Sequence, residues 1–147
     1  MNDNPINLLL VEDDDTDAEF IKRSLKGHKE TINIIWCKNG AEAIHYLESN
    51  ICNLEVTPVV TLLDLKMPVM TGFEFLSKIR QDDLYKKLVV FVLSSSNHWD
   101  DINTAYNHNI AGYLQKRKVS HDPQSLVDLL LYYKNQVQFP PSITNLY

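Results

Sequence analysis

The sequence predicts an α/β protein, with five parallel strands doubly wound in the order 2-1-3-4-5 and helices on both faces of the sheet. Three observations predict it. Five short runs are apolar at successive positions, the mark of strands buried on both faces. A segment of helical period separates each run from the next, and right-handed crossovers turn such a succession into a doubly wound sheet, for which 2-1-3-4-5 is a common order. The apolar runs also stop at acids, hydroxyls or a lysine, at the strand ends where sheets of this kind bind ligands.

The elements follow in order. "INLLLV", Ile6 to Val11, is the first strand and runs directly into Glu12, Asp13, Asp14 and Asp15. Asp14, Asp15 and Asp17 read as the N-cap and first turn of a helix, where the helix dipole favours negative charge, and Ala18, Ile21 and Leu25 form its core stripe. "INIIWC", Ile32 to Cys37, is the second strand; Asn39-Gly40 then opens a helix with Ala43, Ile44 and Leu47 inward. "VVTLL", Val59 to Leu63, is the third strand and ends in Asp64, with a helix carrying Phe73, Leu76 and Ile79 after it. "LVVFVL", Leu88 to Leu93, is the fourth and ends in Ser94, Ser95 and Ser96; Ile102, Ala105 and Tyr106 make a weaker helical stripe behind it. "AGYLQ", Ala111 to Gln115, is the fifth and ends at Lys116. A final helix from about Asp122 to Gln136 turns Leu126, Leu129, Leu130 and Tyr133 to the core. It also carries Val127, Leu131 and Tyr132, and the tail adds Phe139, Ile143 and Leu146. A helix apolar around most of its girth wants a second partner, either the tail folded back or another molecule.

Composition bounds the function. A chain of 147 residues, 44% hydrophobic and 22% charged, is one ordinary globular domain. A formal charge of −5 leaves no basic footprint for nucleic acid, and no apolar run is long enough to cross a membrane. The N-terminus does not read as a signal peptide, so a cytoplasmic protein is expected. Cys37 and Cys52 lack metal-ligand spacing and are expected to stay free; the histidines His28, His45, His98, His108 and His121 are scattered and read as solvated or half-buried.

The acids carry the chemistry. In the order 2-1-3-4-5 the first and third strands are neighbours, so Glu12, Asp13 and Asp64 converge on one crevice. Carboxylates that close repel one another unless a cation sits among them, and hard oxygen ligands suit Mg²⁺. Ser94 and Lys116 bring a hydroxyl and an ammonium to the same edge. That set fits a phosphoryl group, whose oxygens the metal and lysine would neutralise while the serine donates a hydrogen bond. Asp64, central in the row, is the candidate nucleophile.

The acidic pair Glu12-Asp13, the stretch "LLDLKMPVMTGFEFL" around Asp64, Ser94 after the fourth strand, and "AGYLQK" with Tyr113 and Lys116 are together highly specific. From about Ile6 to Gln136 the chain resembles a response-regulator receiver domain of bacterial two-component signalling, with a flavodoxin-like fold. The resemblance implies that Asp64 accepts a phosphoryl group from a sensor histidine kinase. It implies that Glu12, Asp13, Asp64 and the backbone carbonyl of Lys66 hold Mg²⁺, that Lys116 binds the phosphoryl group, and that Ser94 and Tyr113 form the switch. The resemblance also implies that Lys66, Ser95 and Ser96 influence how long the phosphoryl group survives, while Pro68 and Gly72 shape the loop and start the next helix. The segment "ESNICNLEVTP" resembles the loop of stand-alone regulators that partner bacterial phytochromes and related kinases. Where the family usually has a cis-proline after the lysine, this chain has Arg117, and a non-proline cis bond costs about 3 kcal/mol. Residues 1–136 are expected to form the receiver and 137–147 a short tail with no output domain, leaving the fourth helix, fifth strand and final helix as the surface for a homodimer or target. Two other classes stay open. One is a phosphorylation-independent adaptor with a vestigial pocket; the other is a Mg²⁺ phosphohydrolase with an aspartyl intermediate, which would usually want a second acid where Lys66 stands.

Overall fold

The computed structural model describes residues 5–50 and 57–140. Five parallel strands, β1 (Ile6–Val11), β2 (Ile32–Cys37), β3 (Val59–Leu63), β4 (Val89–Ser94) and β5 (Gly112–Gln115), stand in the order β2-β1-β3-β4-β5, as expected. The helices are α1 (Asp15–Ser24), α2 (Gly40–Ser49), α3 (Gly72–Gln81), α4 (Trp99–Asn107), α5 (Lys116–His121) and α6 (Pro123–Gln136), with a single 3₁₀ turn at Lys26–His28.

Alternation along the strands divides the core into two layers. Leu9, Val11, Val59, Leu63, Val90 and Val92 face α2, α3 and α4, where Ala43, Leu47, Phe75, Leu76 and Ala105 are buried. Leu8, Leu10, Val60, Leu62, Phe91 and Leu93 face the other way, toward Ala18 and Ile21 of α1, Val119 of α5 and Leu126, Val127 and Leu130 of α6. Side chains of a strand point alternately to opposite faces, so consecutive apolar residues serve both layers. The helices start where the sequence supplies caps: Asp14 accepts from Asp17 N–H at 2.9 Å, Asn39 from Glu42 N–H at 2.9 Å, and Thr71 from Glu74 N–H at 3.2 Å.

Several expectations are corrected. Strand β4 runs from Val89 through Ser94, one residue later than expected, and β5 begins at Gly112. Phe75 is fully buried while Phe73 is only half-buried, so the inward stripe of α3 is rotated from the one expected. Tyr106 of α4 is exposed, and Ala105 is the buried residue of that helix. The short α5 was not anticipated; buried Val119 pins it beneath the sheet. Its presence explains the apolar girth of α6, which packs against α1, α5 and the sheet together and so buries a wider arc than one interface would. Val127 belongs to the core, Leu131 packs partly against it, and only Tyr132 is well exposed, at 62%. Tyr133 lies edge-on between Phe91, with ring centroids 5.2 Å apart, and Phe139, at 6.3 Å, so the start of the tail does fold back on α6. Ile143 and Leu146, like Cys52 and most of the long segment before β3, lie outside the described residues. Cys37 is free and buried, and the five histidines are exposed or half-buried, as expected.

Candidate phosphoryl and metal site

The strand register brings the acids together. Val11 stands opposite both Cys37 and Leu63, so Glu12 and Asp64 leave their strands at the same level. The ladder continues one step past the apolar runs: Asp64 N–H donates to the Val11 carbonyl at 2.9 Å and Glu12 N–H to the Cys37 carbonyl at 3.0 Å. Both backbones are thereby held as rigidly as the strands themselves. Trp36 adds a tie that the sequence did not suggest, its indole N–H donating to the Glu12 carbonyl at 2.8 Å. Lys22 stands over the same ring, 4.0 Å from its centre.

Gly72 lets α3 approach the end of β3. Its N–H donates to the Leu65 carbonyl at 3.0 Å, and a Cβ there would come within 2.7 Å of the Leu65 Cα, so no side chain fits without moving backbone. In the same loop Val69 is held at φ 67°, a left-handed conformation that a β-branched residue rarely adopts, with its side chain in solvent.

Carboxylate oxygens of Glu12, Asp13 and Asp64 lie within 4.8 Å of one another, the one such group of metal-ligating side chains among the described residues. Glu12 is 2% and Asp64 6% exposed. Lys116, the first residue of α5, reaches into the group: its Nζ lies 2.8 Å from Asp17 Oδ2, 3.0 Å from Glu12 Oε2 and 3.6 Å from Asp64 Oδ2. No peptide bond among the described residues is cis, so Lys116 arrives by a trans backbone followed by Arg117. Asp17, in the first turn of α1, is the site residue that the helix-cap reading missed, and no local pattern marks it, because the partner that draws it into the site, Lys116, lies 99 residues along the chain.

Burial dominates the electrostatics. It pushes the Glu12 carboxyl up to about 7, with the neighbouring Asp64 charge adding to the rise and Lys116 opposing it. Burial also raises Asp64, against the pull of Lys116, a hydrogen bond with Glu12 and the Lys66 backbone N–H. Burial alone would lower Lys116, but Asp17, Asp64 and Glu12 outweigh it and hold the ammonium above its usual range. Two buried carboxyls, Glu12 and Asp64, that resist ionising together, with the Asp13 carboxylate beside them, are hard oxygen donors of the kind a divalent cation relieves, and the donor set fits one.

The hydroxyl edge lies at the end of β4. Ser94 is buried, and its Oγ accepts from Ser96 N–H at 3.0 Å. Ser95 is exposed, whereas Ser96 is buried and donates through Oγ to Asp101 Oδ2 at 2.6 Å. Half-buried Tyr113 donates its hydroxyl to the Ser96 carbonyl at 2.9 Å. The Lys66 side chain is exposed beside a cavity also bordered by Met67, Thr71 and Asp101.

Known proteins resemble this chain in sequence and fold. The family model described as "Response regulator receiver domain" matches residues 8–130. A probable methanogenesis regulatory protein, FilR2, of Methanothrix harundinacea is 31% identical over 89% of this chain and 84% of its own length. The nitrate/nitrite response regulator protein NarL of Escherichia coli is 33% identical over 88% of this chain, which spans only 55% of that protein. Among solved structures, the phosphorylated cyanobacterial phytochrome response regulator RcpA superposes with a TM-score of 0.80 at 28% identity, over 92% of this chain and 99% of its own. The Mn²⁺-bound form of response regulator Rcp1, a protein known from Synechocystis, does so with a TM-score of 0.72 at 28% identity over the same shares. The parallel sheet, the acids at its switch point and a family match that takes in β1 through most of α6 lead to one conclusion: the chain belongs to the response regulator receiver domain family of two-component signalling.

Proposed function

We propose that this chain is a phospho-accepting response regulator that takes a phosphoryl group from a sensor histidine kinase, one of the phytochrome-like kind, onto Asp64. The observation that carries this reading is the position of Lys116 Nζ, drawn to within 3.6 Å of Asp64 by Asp17 and Glu12. A fixed cation beside a buried carboxylate is what an arriving phosphoryl group needs. In the transfer an Asp64 oxygen forms a bond to phosphorus as the bond from phosphorus to the donor imidazole nitrogen breaks. The electron pair stays on that nitrogen, and the ring, protonated at its other nitrogen, leaves neutral. Asp64 is left as an acyl phosphate.

Glu12, Asp13, Asp64 and the Lys66 carbonyl would hold Mg²⁺, which neutralises charge on the phosphoryl oxygens. Lys116 takes up the remaining charge as an ion pair, giving up part of its contact with Glu12. Ser94 donates its hydroxyl proton to a phosphoryl oxygen, and Tyr113 links that event to the surface. Lys66, Ser95 and Ser96 set the lifetime of the acyl phosphate. The altered state is read by a second copy or a target on α4, β5 and α6, where Trp99 is 73% exposed and Tyr132 also reaches solvent, or the phosphoryl group is passed on. Residues 1–136 carry this activity and 137–147 form its tail. No helix among the described residues is long and apolar enough to cross a membrane, in keeping with a cytoplasmic partner for a kinase.

The test is labelling with acetyl phosphate and Mg²⁺, followed by intact-mass measurement. Wild type gains one phosphoryl group, and Asp64→Asn gains none while keeping its fold. Undiminished labelling of Asp64→Asn moves the acceptor elsewhere, and labelling that survives a chelator removes the metal from the account.

A further inference from the structure

Ser96 uses every hydrogen-bonding group it has. Its N–H donates to Ser94 Oγ at 3.0 Å, its carbonyl accepts from the Tyr113 hydroxyl at 2.9 Å, and its own Oγ donates to Asp101 at 2.6 Å while accepting from His98 N–H at 3.3 Å. It is buried, so releasing any of these bonds leaves a polar group without water to replace the partner. Three parts of the molecule meet on this one residue: the hydroxyl at the end of β4, the tyrosine of β5 and the first turn of α4.

The bond to Ser94 has a chemical consequence. A serine hydroxyl offers one proton and two lone pairs. Here a lone pair of Ser94 is engaged by Ser96 N–H, and no hydrogen bond among the described residues uses the Ser94 proton. The hydroxyl is thus oriented as a donor with its proton uncommitted, at the edge of the crevice that holds Asp64. What keeps Ser96 N–H in place is the charge-assisted bond from its side chain to Asp101, 2.6 Å long and anchored in the first turn of a helix.

We infer that Asp101 is a positioning residue: through Ser96 it orients the Ser94 hydroxyl to donate to a phosphoryl oxygen and keeps Tyr113 anchored to the same loop. This rests on the phospho-acceptor reading above and adds to it a residue outside the crevice. Asp101 touches neither Asp64 nor the group on it. It acts on the phosphoryl side of the pocket and not on the metal side, because no bond of this chain leads to Glu12 or Asp13.

The experiment uses the full chain and two probes: Mg²⁺ alone, and beryllofluoride with saturating Mg²⁺ as the phosphoryl mimic. Asp101→Ala is expected to weaken beryllofluoride binding about threefold to tenfold, the worth of one hydrogen bond, with Mg²⁺ affinity unchanged. Asp101→Asn, whose amide oxygen can still accept from Ser96, is expected to recover most of the loss. Ser96→Ala is expected to match Asp101→Ala, and the double variant to be no worse than either, because both cut the same bond. Equal beryllofluoride affinity in wild type and Asp101→Ala overturns the inference. So does a parallel loss of Mg²⁺ and beryllofluoride binding, which marks general loosening of the fold, or a failure of Asp101→Asn to recover binding. If wild type itself takes up no beryllofluoride, the phospho-acceptor reading fails first and this inference with it.

Discussion

Glu12 is expected to make the metal-free protein lose stability as the pH rises from mild acid to neutral, against the usual behaviour of a paired carboxylate. Its carboxyl is 2% exposed and raised from 4.5 to about 7, by burial first and the Asp64 charge second. A group whose folded pKa lies above its unfolded one contributes stability that is complete below the unfolded value and lost as pH rises through the folded value. Between about pH 4.5 and 7 the folded chain therefore keeps a proton that the unfolded chain releases. At 1.36 kcal/mol per pKa unit, the loss from this group is on the order of 3 kcal/mol. Asp64, raised for the same first reason, pulls in the same direction. Lys116, raised above its usual range, keeps its proton throughout this window and does not contribute to the slope. The assay is urea denaturation in a chelator at pH 5, 6, 7 and 8 for wild type and Glu12→Gln, with the difference between their unfolding free energies plotted against pH. That difference should shift in favour of Glu12→Gln by on the order of 2 to 3 kcal/mol across the range. In saturating Mg²⁺ the wild-type trend should reverse, because the cation binds the ionised form. Parallel curves for the two proteins in chelator would refute the reasoning, by showing that Glu12 ionises in the folded chain as easily as in the unfolded one.

Two further predictions concern the scaffold. Thr61 is fully buried in β3, and its hydroxyl has no hydrogen-bond partner among the described residues, so Thr61→Val should raise stability by about 1 kcal/mol in chemical denaturation. Arg80, at the end of α3, donates to the carbonyls of His108, Lys86, Leu88 and Asn109 at 2.7 to 3.1 Å and so ties α3 to the entries of β4 and β5. Arg80→Ala should cost on the order of 2 to 4 kcal/mol, and Arg80→Lys should recover little, since an ammonium cannot span four carbonyls set around a planar fork.

The sequence by itself determined the sheet order and the place of the crevice. Runs such as "INLLLV" and "VVTLL" are apolar at every position because each strand must fill both layers, and that pattern survives in one dimension. Once β1 and β3 are neighbours, Glu12, Asp13 and Asp64 have nowhere else to meet. Capping by Asp14 and Asn39 was legible for the same reason: the interaction spans three residues of chain. Only the tertiary structure decided what depends on approach from a distance. Asp17 reads as a first-turn acid until α5 carries Lys116 across to it over 99 residues of sequence. Trp36 reads as an edge-strand aromatic until its indole finds the Glu12 carbonyl. Ser96 lies in the loop after β4 and Asp101 in the first turn of α4, five residues on, and no periodicity requires their side chains to meet. The apolar girth of α6 looked like a second interface because its pattern counts apolar residues but not the number of neighbours, and the unforeseen α5 supplied the neighbour that takes Val127 into the core. Periodicity records how a segment is buried; which side chain of another segment arrives beside it is set by packing, and packing is resolved only when the whole chain closes on itself.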